Sequence, residues 1–228
     1  MFGYSLVGLE VDSTEEEVKE IEENETTARS AVYQVLARQF HAPDSEAAEA
    51  IKSGEPRTKL EEALVGLPYE LPVAKEAPSI ADLSADDICA EFIRLFDVGA
   101  DGPPCPLFGG AYRPDRMSVI EETKRFYDYF GLKLSSDYFL PPDHLATELD
   151  FMQYLTFKEA ASASPRLARS YSSAQRDFLE RQMLTWLPEA VSRLDKADPH
   201  PYFRWLLGLT LAFAEVDHAY VSERLAAQ

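Results

Sequence analysis

Two short clusters carry the side chains best suited to chemistry. In Glu215-Val-Asp-His218 a carboxylate and an imidazole three residues apart share one helix face, the spacing with which di-iron carboxylate bundles hold metal. Such a centre needs a second Glu-x-x-His and two further inward carboxylates. None of His41, His144 and His200 has a glutamate three positions before it. In the second cluster, Pro141 and Pro142 deliver Asp143-His144 to a helix start, with Glu148 four residues beyond His144. At that position Asp143 can accept orphan backbone N–H groups and interact favourably with the helix dipole. The alternative is an exposed polar pair at the mouth of a groove between helices, where His144 donates to a partner's carbonyl or changes charge near neutral pH. Reaction machinery is otherwise missing from the sequence. It holds no GxxxxGK(S/T) phosphate loop, no strand-associated GxGxxG and no GxSxG nucleophile elbow, and neither Cys89 nor Cys105 has a histidine nearby.

The elements that must position these residues are helical. Leu and Ala together number 54 against 18 for Val and Ile, and Gly is scarce at 10 of 228, which favours helices over hairpins. The first helix is expected from Ser13 or Thr14, where Thr14 and Glu17 have capping-box spacing, with Val18, Ile21, Ala28, Val32, Val35 and Leu36 on one stripe. Short helices follow over Ser45–Lys52 and Pro56–Leu64. Ser84 and Asp87 form a second capping box, opening a helix whose apolar face is Ile88, Phe92, Leu95 and Phe96. From Gly99 to Pro114 the chain has four Gly and four Pro in a row of turns, a long ordered loop or a hinge. Beyond it come helices over Met117–Phe130 and from Leu145 through Leu155. A long helix from Pro165 through Leu194 is expected to kink at Pro188. The last, Tyr202–Leu225, is apolar on most sides and expected to be the central, most buried one. Trp186 and Trp205 lie in apolar stripes and belong to the core. The fold class is all-α: a compact multi-helix bundle, one domain over 1–228, with lobes 1–98 and 115–228 if loop 99–114 divides it.

Charge narrows the function. The formal charge is −18, which argues against gripping phosphate backbones and against anionic membrane surfaces. Between Glu10 and Glu25 lie nine carboxylates and one base, Lys19, a strongly solvated face. The longest apolar run, Trp205–Ala214, is about half of the ~20 residues that cross a bilayer, so no membrane insertion is expected. Met1 to Val11 lacks the basic region of an export signal. Two cysteines make neither a disulfide framework nor a metal knuckle, which fits the reducing cytoplasm. No catalytic residue, metal site or cofactor is assigned.

Three segments in this order resemble one family. They are Phe92-Ile-Arg-Leu95-Phe96; Pro103-Pro-Cys-Pro106-Leu107-Phe-Gly-Gly-Ala-Tyr112; and Pro142-Asp143-His144-Leu145 followed by Glu148-Leu149 and Phe151-Met152. With Phe178, Trp186 and Pro188 downstream, they are similar to the TorD/DmsD/NarJ family of redox-enzyme maturation chaperones. The resemblance implies a cytoplasmic, non-catalytic chaperone that binds the catalytic subunit or twin-arginine signal peptide of a molybdenum oxidoreductase, holding it unexported until its cofactor is inserted. It places client binding at Asp143, His144, Glu148, Phe92, Leu95, Phe96, Pro106, Leu107 and Tyr112. It is compatible with a monomer or a domain-swapped dimer. Pro141 and Gly110 depart from the family's usual acidic residue and serine. The GGAYRPDRM stretch points to a branch serving periplasmic enzymes for dimethylsulfide, ethylbenzene, selenate or chlorate. The alternative is a helical metal-carboxylate enzyme using Glu215 and His218.

Overall fold

The computed structural model describes residues 9–11, 25–71, 77–135 and 139–227. Its helices are α1 (Glu25–Gln39), α2 (Ser45–Ser53), α3 (Glu55–Val65), α4 (Ala85–Phe96), α5 (Arg116–Tyr129), α6 (Leu145–Ala161), α7 (Pro165–Arg181), α8 (Leu187–Lys196) and α9 (Pro201–Ala226). Among the described residues the protein is all-α apart from two three-residue strands, β1 (Leu9–Val11) and β2 (Leu132–Leu134), paired antiparallel with Leu9 opposite Leu134. The expected helix start at Ser13 or Thr14, and the residues Val18 and Ile21, lie outside the described residues.

Local chemistry sets most of the boundaries. Asp44 accepts from the Ala47 N–H at the start of α2, and Ser84 and Asp87 close the capping box that opens α4. Asp115 and Ser164 cap α5 and α7 in the same way. Gly54 turns the chain from α2 into α3 at φ +83°, a left-handed conformation that costs glycine nothing. Imidazole nitrogens cap two helices: His144 Nδ1 accepts from Ala146 N–H at α6, and His200 Nδ1 from Tyr202 N–H at α9.

The expected kinked helix from Pro165 to Leu194 is two helices. Pro188 has no N–H to donate, and its ring would meet the carbonyl of Leu184 in a continuous helix. The chain instead breaks through a single 3₁₀ turn, Met183–Thr185, and Pro188 sits in the first turn of α8, where a missing N–H costs nothing.

A single apolar cluster runs from Val32 to Ala214 and so spans both sides of the Gly/Pro loop. Helix α1 lies against α6 and α3, α6 against α7, α7 and α8 against α9, and α2 against α4. The most deeply buried helix is α6, not α9: every residue from Leu145 to Thr156 is buried, whereas α9 leaves a solvent face through Glu215 and Ala219. The enclosure of α6 on nearly all sides accounts for its polar residues being buried too, among them Thr147, Glu148, Asp150, Gln153 and Glu159.

Candidate functional site

The Gly/Pro loop and the start of α6 are sewn together by their backbones. Gly109 N–H donates to the Asp143 carbonyl at 2.9 Å, and Leu145 N–H donates to the Leu107 carbonyl at 2.8 Å, while Cys105 N–H reaches back to the Leu95 carbonyl of α4. The loop segment thereby runs antiparallel to the chain entering α6, with Phe108 facing His144 across the bridge. Side chains complete the seam. Tyr112 Oη donates to the Pro106 carbonyl at 2.8 Å, and Tyr127 Oη donates to the Pro142 carbonyl at 2.7 Å. The Tyr112 ring stacks on Trp186 with 5.3 Å between centroids, and Arg193 covers its other surroundings at 4.4 Å.

Asp143 is the pin of this seam. It is fully buried, and its Oδ2 accepts from the Gly110 N–H at 2.8 Å. The two glycines let the loop come this close. A Cβ on Gly109 would stand 3.1 Å from the Trp186 indole. One on Gly110 would stand 2.5 Å from Arg116 Cγ and 2.9 Å from Asp143 Oδ2. A serine here would bring its Cβ into the same contacts.

Behind Asp143 lies Glu148, also fully buried, whose Oε2 accepts from Trp186 Nε1 at 3.2 Å. Asp143 Oδ1 and Glu148 Oε1 are both buried without a hydrogen-bond partner, at a cost of about 1–3 kcal/mol for each such group. Burial, and then the neighbouring Asp143, push the Glu148 carboxyl well above the usual range. Burial raises Asp143 as well, against the pull of the Gly110 N–H and Arg116. The pair is a desolvated acid site.

The structure corrects several expectations. Asp143 and His144 are not exposed at a groove mouth: they are 0% and 8% accessible. His144, and not Asp143, is the side-chain cap of α6. Nor does His144 change charge near neutrality, because burial and the nearby His41 lower its pKa to about 3. Phe92, Leu95 and Phe96 do not line an open face. They are buried in the core, where Phe92 and Phe96 pack edge-on at 5.0 Å and both meet Phe203 of α9. Pro106 and Leu107 are buried and Tyr112 is half-buried. Helix α9, through Phe203, covers this face of α4, where the resemblance places client binding. The metal reading fails on geometry too. Glu215 is exposed and His218 half-buried, the inward carboxylate is Asp217 between them, and no metal-binding cluster of three such residues occurs among the described residues.

A second polar centre escaped the sequence reading. Arg29 of α1, entirely buried, donates to Asp217 Oδ1 at 2.5 Å, to Asp217 Oδ2 at 2.9 Å and to Gln175 Oε1 at 2.6 Å, and lies 3.4 Å from Glu159 Oε2. Tyr33 and Tyr69 both donate to Asp217, and Arg224 pairs with Glu159 at 3.0 Å. Burial alone would lower the Arg29 pKa, but Asp217 and Glu159 reverse it, so the guanidinium stays charged. The signal was present: Arg29 precedes Val32 and Tyr33 by helical steps, and Asp217 lies three residues after Ala214 and four before Val221, each inside an apolar stripe.

Nothing in either centre makes a nucleophile. Cys105 is buried, its thiol is pushed up to about 11 by desolvation, and it donates to the Ala190 carbonyl. The arrangement holds the loop against the start of α6.

Comparison with known proteins gives this geometry a family. The family model described as "Nitrate reductase delta subunit" matches residues 46–192, which include the loop, the Asp143 seam and Pro188. The perchlorate reductase assembly chaperone protein of Dechloromonas aromatica is 31% identical over 209 residues, 89% of this chain and 92% of that protein. The chain belongs to this family of reductase maturation chaperones. The selenate reductase assembly chaperone protein of Thauera selenatis is 39% identical, and the chlorate reductase assembly chaperone protein of Ideonella dechloratans 36%, each over 119 residues and 51% of this chain. Those two matches span 62% of the relatives' own length. The seam between loop and α6 is the segment where motif resemblance and unpartnered buried carboxylate oxygens coincide.

Proposed function

We infer that this chain is a maturation chaperone for a molybdenum-containing oxyanion reductase and not an enzyme. It binds the catalytic subunit or its twin-arginine leader in the cytoplasm, as a single domain, while the cofactor is inserted. The observation that carries this reading is the match along nearly the whole chain to a perchlorate reductase assembly chaperone. The selenate and chlorate relatives support an oxyanion reductase as client. No helix among the described residues is long and apolar enough to cross a membrane.

The seam supports a mechanism. With the loop closed, Asp143 accepts from the Gly110 N–H through Oδ2, while Oδ1 has no hydrogen-bond partner. When the segment Leu107–Tyr112 lifts, Asp143 gains solvent and an apolar wall opens beside it at Trp186, on which Tyr112 stacks in the closed form. A leader peptide, two arginines followed by an apolar stretch, supplies the missing partner for the carboxylate and covers that wall. His144 holds the start of α6, Glu148 keeps Trp186 in place, and Phe92, Leu95 and Phe96 anchor the loop's root through the core. The protein is a monomer in this closed form; a dimer that exchanges helices through loop 99–114 is the opened alternative.

Calorimetric titration with a twin-arginine leader peptide tests the proposal. The expected result is binding that weakens with salt, a negative heat-capacity change, and loss with a twin-glutamine peptide. Asp143→Asn retains the bond from Gly110 and the fold, yet is expected to bind the leader severalfold more weakly. Equal binding by Asp143→Asn and wild type removes Asp143 from recognition.

A further inference from the structure

A cleft of about 600 Å³ opens between α5 and α7, apart from the seam. One wall is aromatic: Phe126, Tyr129 and Phe130, with Tyr129 78% exposed. The rest is unlike the protein around it. In a chain of charge −18 the cleft is lined by four arginines (Arg125, Arg166, Arg169 and Arg181) against two carboxylates, Glu122 and Asp177.

Both carboxylates are already engaged. Glu122 pairs with Arg181 at 2.5 Å, and Asp177 pairs with Arg176 from outside the lining at 2.6 Å. Arg169 donates to the Leu225 carbonyl, and the Arg181 guanidinium lies over Phe126 at 5.7 Å. The Arg166 side chain is exposed and makes no hydrogen bond or ion pair with the described residues, while its backbone carbonyl accepts from Ser170 Oγ. Arg125 reaches only its own helix, at 3.8 Å from Glu121, with its side chain 77% exposed. Two guanidinium groups thus face an aromatic-walled cleft, where planar donors suit bidentate carboxylates and rings suit apolar side chains.

We propose that this cleft docks an acidic segment of the partner polypeptide, one in which carboxylates are interleaved with apolar side chains. Charge complementarity selects it: the net acidic charge of the chain repels such a segment, so its approach is steered to this cleft, where arginines outnumber carboxylates. The inference rests on the reading that this chain holds a client polypeptide. It adds a second attachment whose charge preference is opposite to that of the leader site. A cationic leader and an acidic stretch of the same client would then occupy different parts of one surface without competing.

The test is fluorescence anisotropy on the full chain with a labelled synthetic peptide alternating Glu with Leu and Phe, and with its Gln counterpart. The acidic peptide is expected to bind, the Gln peptide to bind at least severalfold more weakly, and added salt to weaken the difference. Arg125→Glu with Arg166→Glu should cost the acidic peptide about tenfold or more in affinity. Both residues are exposed, so the melting temperature should hold, and Arg125→Gln with Arg166→Gln serves if charge reversal perturbs the fold. Leader titration of the same variants should match wild type. Acidic peptide that fails to bind wild type, or binds the double variant equally, overturns the proposal. So does displacement of the peptide by inorganic tripolyphosphate at concentrations below the peptide's own dissociation constant, which would make the cleft a phosphate site. Loss of leader binding with acidic-peptide binding intact would instead sink the leader reading and leave this one standing.

Discussion

Gly110→Ala separates a loop that merely packs from a loop that must lift for a client to bind. Backbone conformation does not forbid alanine here, because Gly110 lacks a positive φ. The obstacle is contact: the new Cβ would lie 2.5 Å from Arg116 Cγ and 2.9 Å from Asp143 Oδ2. Arg116 Cγ is near its own backbone and Asp143 is held between Gly110 and α6, so neither can yield cheaply. Overpacking of this kind costs roughly 1–3 kcal/mol, and it falls on the closed loop alone. If the leader binds the lifted state, closing is the competitor, and apparent affinity scales with the fraction of protein that is open. A penalty of about 1.4 kcal/mol on the closed state therefore tightens leader binding by up to about tenfold, while global stability falls by a similar amount. Calorimetric titration gives the affinity. Hydrogen exchange at the amides of Gly109, Gly110 and Leu145, which bond across the seam, gives the opening. The expected outcome is faster exchange at those amides together with tighter binding. Faster exchange with weaker or unchanged binding would refute the lifted-loop mechanism.

The other expectations concern the polar interior. Arg29→Leu leaves Asp217 buried without its countercharge, Glu159 keeping Arg224, and should lower unfolding free energy by about 3–5 kcal/mol in denaturant titration; a loss below ~1 kcal/mol would mean that Tyr33, Tyr69 and Arg224 carry the centre without it. Asp150 is 5% exposed, Oδ2 has no partner, and burial raises its carboxyl to about 7 despite the opposing charge of Arg38. Its native form binds a proton that the unfolded chain, near 3.8, has released, so stability falls as pH rises between about 4 and 7. Asp150→Asn should therefore stabilise the protein at pH 8, by at most about 4 kcal/mol at 1.36 kcal/mol per unit, and change little at pH 4; a shift independent of pH would contradict the burial argument. His144 has the opposite sign: its stability contribution is present above pH 6.5 and lost as pH falls toward 3. His144→Asn keeps the cap and should flatten that acid limb of the melting curve.

Much of the fold was legible because local rules and tertiary packing agree in it. The capping box at Ser84 and Asp87, the glycine-proline turn at Gly54 and Pro56, and the stop at Pro141-Pro142 each report a helix end through backbone chemistry that needs no partner. The reading failed where packing decides. Pro188 announces a disruption, but whether a helix kinks or breaks depends on what α7 and α8 must reach, and they break. Residues Phe92, Leu95 and Phe96 look the same whether a client or α9 covers them, and Phe203 covers them here. Helix α6 carries polar residues on every side, which hides its central place from any periodicity argument. For the site, the Asp143-His144-Glu148 motif was visible but its burial was not, because the loop that covers it is reached through backbone bonds from Leu107 and Gly109 that no side-chain pattern encodes. The Arg29 centre is hidden because its partners, Asp217 and Glu159, are brought to it only by the packing of α6 and α9 against α1, from 188 and 130 residues away in sequence.

The central claim, that this chain readies a molybdenum reductase, is tested most directly by the molybdenum content of that reductase. The measurement is metal analysis of the purified oxyanion reductase from cells with and without this chain, alongside cells that carry the Asp143→Asn variant. The account predicts a severalfold fall in bound molybdenum without the chain, restoration by wild type, and incomplete restoration by Asp143→Asn. Full molybdenum occupancy in cells lacking the chain would contradict it.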